Sequence, residues 1–112
     1  VFSPCARGAI LNDATIKVLK ARVVAGAANN QLQDPDKHGK ALKDKGIVYA
    51  PDYVINAGGV INVFFELIGY DEEKSKERAK NIYNTIDKII AMAKKQNIST
   101  HDAAQKVAEE RI

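Results

Sequence analysis

Two short apolar runs in the first half of the chain predict β-strands. Residues 22–27 (RVVAGA) and 47–50 (IVYA) are almost wholly apolar and do not alternate polar with apolar positions. This pattern is typical of strands buried on both faces, as in a parallel sheet. Residues 1–3 (VFS) resemble the end of a third strand. The polar cluster at 29–31 ends the first run, and Pro51 ends the second.

The segment between the predicted strands at residues 1–3 and 22–27 has a helical pattern. Residues 8–11 and 13–20 are predicted to be helical, because apolar residues recur there at helical spacing. Asp13 is expected to cap the second of these helices. Ile16 and Leu19 are expected to face the core.

The segment between the two longer apolar runs combines loop and helix signals. Residues 34–38 surround Pro35 and are predicted to form a loop. A short helix is predicted over residues 39–44, and Gly46 is expected to end it.

A strongly apolar helix is predicted to open at Asn56. From Val60 to Ile68 its residues are apolar nearly all round, which is typical of a helix buried between domains or in an assembly. Few residues of this chain remain to cover it. We therefore expect further sequence or a second copy, in a homo-oligomer, to cover this helix.

Two amphipathic helices complete the predicted secondary structure. The first spans residues 72–95, and the second begins at Ser99, where Asp102 follows at the spacing of a capping box. Residues expected to face inward recur with a period of 3.6. They are Ala79, Ile82, Tyr83, Ile86, Ile89, Ile90 and Ala93 in the first helix, and Ala103, Val107 and Ala108 in the second.

The order of these elements predicts an α/β fold with a parallel sheet of partial Rossmann type, followed by C-terminal helices. In such sheets ligands bind at the carboxyl ends of the strands. Three segments that follow the predicted strands would meet there, at residues 4–6, 28–31 and 56–59. Their convergence is the main argument from sequence for a binding site.

Composition and charge narrow the classes of function. The 112 residues carry 17 basic and 14 acidic side chains that interleave, so a solvated helix surface is favoured over a nucleic-acid interface. No run of about 18 apolar residues occurs, so no membrane span is predicted. The single cysteine, Cys5, cannot form an intrachain disulfide, which favours a reducing, cytoplasmic setting. The chain starts without methionine or a signal peptide, and we expect it to be part of a longer protein.

Three asparagines are candidate site residues, and their side chains are polar but not ionisable. Asn29 and Asn30 can orient an amide, a hydroxyl or a carboxylate, although asparagines in a turn also bond their own backbone. Asn56 can hold a carboxylate or simply cap a helix. No pairing of Cys5 with a nearby histidine and no metal-ligand spacing is found, so no catalytic residue and no metal site are predicted.

The glycine and valine positions of the predicted apolar helix suggest a ligand wall. Gly58 and Gly59 would expose backbone N–H groups at the helix start. Val60 and Val63 fall on the same face as Asn56, so a small molecule with a carboxylate head and an aliphatic tail would fit. The alternatives are that the glycines serve close packing and that the valines belong to the core.

Several runs of residues resemble a known family. Pro4-Cys5-Ala6 and residues 8–9, 11–13, 25–26, 28–32, 46–63 and 108–112 are similar to the C-terminal part of glutamate/leucine/phenylalanine/valine dehydrogenases, especially those of leucine type. The resemblance covers essentially the whole chain. It implies that residues 1–112 are the C-terminal part of an NAD-binding domain, including its trailing helices.

The resemblance implies a reaction and roles for the candidate residues. Family enzymes oxidise an L-amino acid to a 2-oxo acid and ammonia with NAD, and a branched-chain substrate is expected here. The cofactor would contact Pro4, Cys5, Ala6, Asn29 and Asn30. The substrate would contact Asn56, Gly58, Gly59, Val60 and Val63.

The resemblance also implies what this chain lacks. The family's catalytic lysine and aspartate lie in an N-terminal domain, and its glycine fingerprint precedes the segment matched here. No G-x-G-x-x-G sequence occurs in the 112 residues. The isolated chain is therefore expected to be inactive. An aromatic amino-acid dehydrogenase and a non-catalytic interaction domain are the alternatives.

Overall fold

The computed structural model describes all 112 residues as a helix-rich α/β structure with a small parallel sheet. Its elements follow one another as α1 (Asp13–Val18), β1 (Val23–Val24), α2 (Pro35–Asp44), β2 (Val48–Tyr49), α3 (Asp52–Ile55), α4 (Gly58–Ile68), α5 (Glu72–Gln96) and α6 (Thr100–Glu109). None of these helices is both long enough and apolar enough to cross a membrane.

The sheet has the predicted parallel pairing but is shorter than predicted. Val23 pairs with Val48 and Val24 with Tyr49. Phe2 adds a parallel bridge on the other side of β1, where its N–H donates to the Val23 carbonyl at 2.8 Å. The order in space is therefore residue 2, β1, β2, with all three chain segments running the same way.

The helix predicted over residues 8–11 is not formed. Ala9 has a positive φ of 54°, which interrupts any helix, and its N–H donates to the Asn30 carbonyl at 2.7 Å. Leu11 forms a parallel bridge with Leu32 and is buried. A second strip of extended chain therefore ties this segment to the loop after β1.

Helix α1 starts at Asp13 as predicted, but the predicted capping residue was wrong. Asn12, and not Asp13, is the N-cap, because its Oδ1 accepts the N–H groups of Ala14 and Thr15, each at 3.1 Å. Asp13 instead forms hydrogen bonds with Lys37 and His38. The helix ends at Val18, two residues earlier than predicted.

The predicted loop at residues 34–38 is the first part of α2. Asp34 caps this helix by accepting the Lys37 N–H at 3.1 Å. Pro35 occupies the first helical position, where a missing N–H costs nothing and the fixed φ is favourable. The loop prediction was wrong because it treated this proline as a helix breaker. Gly46, with a φ of 74°, follows the helix as predicted.

Two apolar clusters form the core. The first joins α1, α2 and the sheet, and the second joins α6 to the C-terminal half of α5. The first cluster consists of Leu11, Ile16, Val24, Leu32, Leu42, Ile47 and Tyr49. The second consists of Ile89, Ala93, Ala103, Ala104 and Val107. Ser99 caps α6 as predicted, since its Oγ accepts the Asp102 N–H at 3.0 Å.

The N-terminal half of α5 is more exposed than its periodicity predicts. Ala79 and Tyr83 face solvent, whereas Ile89 and Ala93 are buried. Ala108 in α6 is also exposed. The predicted inward stripe is thus fully buried only in the C-terminal half of α5, whereas Ile82 and Ile86 are half-buried.

The helix predicted to be buried, α4, is largely exposed in this chain. Phe65 is its only buried residue, although the helix is apolar on nearly every side. Large exposed side chains lie on several of its faces. They are Val60, Val63, Phe64, Leu67 and Ile68.

Candidate functional site

An open crevice lies at the carboxyl ends of β1 and β2. Its volume is about 600 Å³. It brings together all five residues predicted to bind substrate and one of those predicted to bind cofactor. The lining residues are Ala27, Asn29, Ile55, Asn56, Gly58, Gly59, Val60 and Val63.

A hydrogen bond between two asparagine side chains forms the polar side of the crevice. Asn56 Nδ2 donates to Asn29 Oδ1 at 2.5 Å and lies 3.4 Å from the Ala27 carbonyl oxygen. Neither Asn29 Nδ2 nor Asn56 Oδ1 has a partner within the chain. The pair can therefore offer one donor and one acceptor to a ligand without breaking its own contact.

Asn56 does not cap the apolar helix, contrary to the simpler alternative. It is the C-cap residue of α3, and Ala57 precedes α4. No side chain caps α4. The Asn56 side chain is committed instead to the loop after β1, which fixes the distance between the two strand-end loops.

The two glycines of α4 have no packing reason in this chain. A Cβ atom added at Gly58 or Gly59 would meet no heavy atom within 4 Å. Glycine inside a helix costs about 0.5–1 kcal/mol relative to alanine. The close-packing alternative is therefore wrong within these 112 residues, and an open backbone surface faces the crevice.

Val60 and Val63 form the apolar side of the crevice. Their exposed fractions are 74% and 54%, so the alternative that they belong to the core of this chain is wrong. Both are β-branched and therefore rigid about χ1 in a helix. They present a fixed apolar wall on the helix that carries the two glycines.

The segment after residue 2 lies against the loop after β1. Pro4 is buried, and its carbonyl accepts the Ala28 N–H at 3.0 Å. Gly26 permits this contact, because a Cβ there would lie 2.2 Å from the Pro4 oxygen. Cys5 and Ala6 are exposed next to it.

The thiol of Cys5 has an altered acidity. A hydrogen bond with the Ala27 backbone, and a second with the Ser3 hydroxyl, lower the pKa of Cys5 below its usual value. The Ser3 Oγ lies 3.4 Å from the Cys5 sulfur. Ala27 also lines the crevice, whereas Cys5 is not among the lining residues.

Asn30 lies in a different environment from its neighbour Asn29. It has a φ of 52°, and its carbonyl accepts the Ala9 N–H. It lines a separate cavity of about 100 Å³ together with Tyr49, Asp52 and His101. The structure therefore brings Asn29, but not Asn30, together with Asn56.

The sequence analysis missed two buried polar residues behind the crevice, Gln31 and Asp52. The Gln31 N–H donates to Asp52 Oδ2 at 2.9 Å. Burial of the Tyr49 side chain raises its pKa well above the usual value, and the negative charge of Asp52 raises it further. A carboxylate directly after Pro51 is typical of the first turn of a helix. The hydrogen bond of Asp52 to the loop after β1 depends on the tertiary structure and could not be predicted from the sequence.

One group of possible metal ligands lies outside the crevice. Ligand atoms of Asp36, His101 and Asp102 lie within 4.8 Å of one another. The two aspartates are in the first turns of α2 and α6, where carboxylates favourably oppose the helix dipoles. Their positions are thus explained without a metal.

The chain is similar to known proteins over its whole length. The profile of the glutamate/leucine/phenylalanine/valine dehydrogenase family matches residues 1–112. The chain belongs to this family. L-tryptophan dehydrogenase of Nostoc punctiforme and leucine dehydrogenase of Geobacillus stearothermophilus are each 56% identical over the whole chain. The valine dehydrogenase of Streptomyces albus is 52% identical over the same length.

The chain spans about a third of the length of these relatives, namely 32% of the L-tryptophan dehydrogenase and 30% of the leucine dehydrogenase. The crystal structure of L-tryptophan dehydrogenase from Nostoc punctiforme superposes on 98% of the chain, which covers 33% of that structure, with a TM-score of 0.95 and 55% identity. The fold of glutamate dehydrogenase from Peptoniphilus asaccharolyticus is also similar, with a TM-score of 0.72 at 23% identity over 91% of the chain and 27% of that structure. The family relationship therefore extends to both sequence and fold.

Proposed function

We propose that residues 1–112 are the C-terminal part of the NAD-binding domain of an amino-acid dehydrogenase. Phe2, β1 and β2 would then be the last strands of a Rossmann-type sheet, and α5 and α6 its trailing helices. The complete enzyme would convert a branched-chain L-amino acid, water and NAD⁺ into a 2-oxo acid, ammonium, NADH and a proton. The family's catalytic lysine and aspartate would come from an N-terminal domain, as would the other wall of the cleft.

One observation supports this proposal most strongly. The crevice at the strand ends has an asparagine pair on one side and two valines on the other, with two glycines between them that no packing contact requires. A substrate with a polar head and an apolar side chain matches this division. The segment at Pro4 also lies beside the loop that carries Asn29, because the Pro4 carbonyl accepts the Ala28 N–H. The side-chain amide of Asn29 would suit the nicotinamide end of NAD, since it can both donate and accept hydrogen bonds.

Each residue has a defined role in this proposal. Asn29 would bind the nicotinamide end of NAD, next to Pro4, Cys5 and Ala6, and NAD would accept a hydride from the substrate. Asn30 lies behind it and would support the loop. The substrate carboxylate would lie near Asn56, with Gly58 and Gly59 allowing close approach. Asn29, Asn30 and Asn56 bind and orient, because an amide side chain cannot transfer a proton at neutral pH.

Branched-chain preference follows from the valine wall. Val60 and Val63 offer neither charge nor hydrogen bond, so burying a glutamate side chain against them would be strongly unfavourable. One methylene group in such a pocket is worth only about 1–3 kcal/mol. Leucine, valine and isoleucine should therefore all be substrates of the complete protein.

An aromatic substrate is the second candidate, and the identity to L-tryptophan dehydrogenase favours it. That identity, 56%, equals the identity to the leucine dehydrogenase of Geobacillus stearothermophilus. The crevice volume of about 600 Å³ would also admit a ring. Phe64 and Phe65, which pack edge to face with centroids 5.6 Å apart, could shift α4 and reshape the wall.

Kinetics of the complete gene product separate these candidates. We expect kcat/KM with NAD to be highest for L-leucine, L-valine or L-isoleucine and far lower for L-phenylalanine, L-tryptophan and L-glutamate. Val60→Ala should shift the preference toward the aromatic substrates, and Val18→Ala, an exposed valine on α1, is the matched control. Wild-type preference for tryptophan or phenylalanine would replace the branched-chain proposal with the aromatic one. Absence of any NAD-dependent turnover would overturn both.

A further inference from the structure

The two strand-end loops are joined a second time behind the crevice, by a buried contact. Asp52 accepts the Gln31 N–H with Oδ2 at 2.9 Å and the Tyr53 N–H with Oδ1 at 2.7 Å. Gln31 is fully buried and Asp52 is 8% exposed. Hydrogen bonds to an ionised acceptor are about twice as strong as neutral ones, so this contact is the firmer of the two.

The Gln31 side chain fixes the loop after β1 from the inside. Its Nε2 donates to the carbonyl oxygens of Gly26 at 2.7 Å and Ala28 at 2.8 Å. Both amide hydrogens are therefore used on the two residues that flank Ala27. Its Oε1 is buried without a partner. A buried acceptor without a donor is costly, which argues that the residue is retained for loop geometry and not for stability alone.

The buried contact and the asparagine pair bridge the same two loops. Asn29 lies two residues before Gln31, and Asn56 lies one helical turn after Asp52, where its N–H donates to the Asp52 carbonyl at 2.9 Å. The exposed bond between Asn29 and Asn56 is neutral and borders an open crevice. Its geometry therefore depends on what holds the loops behind it.

We propose that Gln31 and Asp52 are positioning residues for the candidate site. They hold the Asn29 side chain within hydrogen-bonding distance of Asn56, and through Asn29 they set how the cofactor and the amino acid are oriented. The effect on catalysis rests on the proposed function. The effect on the Asn29–Asn56 contact does not.

A double-mutant cycle in the complete gene product tests this coupling. Asp52→Asn keeps the shape of the side chain but turns an amide nitrogen or a weaker neutral acceptor toward Gln31. We expect kcat/KM to fall about 10- to 100-fold, because small displacements of an orienting group have effects of this size. In an Asn29→Ala background the same change should cost less than about threefold, since residues that act through one another are not additive. Asp44→Asn, an exposed aspartate at the end of α2, is the matched control.

The outcomes separate the positioning role from general destabilisation. Equal losses from Asp52→Asn with and without Asn29 would overturn the proposal, because Asp52 would then act independently of Asn29. If Asp52→Asn does not fold, Gln31→Met, which removes both side-chain hydrogen bonds at similar length, takes its place in the same cycle.

A structural measurement covers the case in which the wild type has no dehydrogenase activity. That result would overturn the proposed function but not the positioning role. Crystal structures of the wild type and Asp52→Asn should then show the Asn29–Asn56 distance increasing beyond 3.5 Å, the limit of a hydrogen bond. An unchanged contact would overturn the positioning role.

Discussion

The glycines differ in what the surrounding residues demand of them. Gly26 has no space for a side chain, because Pro4 lies against it. Gly46 adopts a φ of 74°, which side chains rarely tolerate. Gly58 and Gly59 have neither constraint in this chain. Only Gly58 and Gly59 lower helix stability although neither a close contact nor a positive φ requires glycine there. The same two residues border the crevice.

Gly59→Ala should therefore separate stability from activity. We expect the substitution to raise the free energy of unfolding of the complete protein by about 0.5–1 kcal/mol, because alanine favours the helix. The added methyl group should also obstruct the substrate and lower kcat/KM about tenfold or more. Thermal unfolding and steady-state kinetics on the same preparation test both effects. Gly46→Ala is the control and should lower stability. A fully active Gly59→Ala protein would contradict a role in substrate binding.

Cys5 gives a second prediction at this scale. Because hydrogen bonds lower its pKa, more of the thiol is ionised at neutral pH than in a free cysteine. Its alkylation by iodoacetamide should reach half its maximal rate at a lower pH than the reaction of a cysteine model peptide. Ser3→Ala, which removes one of these hydrogen bonds, should move that midpoint upward. A midpoint unaffected by Ser3→Ala would show that the hydroxyl does not act on the thiolate.

Among the elements, the helix starts distinguish local signals from tertiary ones. Asp34, Asp71 and Ser99 each cap a helix by accepting the N–H three residues later. At α1 the sequence predicted Asp13 as the cap, whereas Asn12 is the cap in the structure and Asp13 turns toward Lys37.

Two substitutions of Asn12 should distinguish its role as a cap from its other hydrogen bond. Asn12→Ala should lower the free energy of unfolding by about 1 kcal/mol, the usual value of an N-cap, whereas Asn12→Asp should have little effect. Chemical denaturation of the complete protein measures both. An equal loss in Asn12→Ala and Asn12→Asp would mean that the contact of Asn12 Nδ2 with the Ala9 carbonyl, and not the cap, is what matters.

Much of the architecture could be predicted from local pattern, and the failures have physical causes. The strands at residues 23–24 and 48–49 and their parallel pairing followed from unbroken apolar runs. The helix predicted at 8–11 failed because the positive φ of Ala9 and its pairing with Asn30 depend on a distant loop. In the candidate site, the crevice residues were predictable from their positions after strands. The contact between Gln31 and Asp52 spans 21 residues and leaves no local signature.

For the molecule as a whole, α4 is the largest departure from an ordinary soluble surface. Five large apolar side chains of one helix are exposed. Exposed apolar surface of this extent usually marks an interface. In the proposed enzyme, the remaining two-thirds of the chain would cover part of it.

The isolated 112-residue chain should accordingly self-associate and show no turnover. Light scattering should detect dimers or larger species, and Leu67→Lys, on an exposed position of α4, should reduce them. Val18→Lys replaces an exposed apolar residue of α1 and is the matched control. Incubation with L-leucine and NAD should give no NADH absorbance above the blank. A clean monomer at high concentration would argue against association through α4, and turnover would show that catalytic groups lie within this chain.

The crevice has one further property, which concerns its chemistry of ionisation. None of its eight lining side chains gains or loses a proton in the physiological range. In the proposed enzyme, the pH dependence of turnover must then originate in groups outside the lining of this crevice. Substitutions such as Val60→Ala and Val63→Ala should change which amino acid is preferred while the apparent pKa values of kcat/KM stay within about 0.3 units of wild type. Substrate choice and acid–base chemistry would thus be separable, so that selection or design could alter the first without retuning the second.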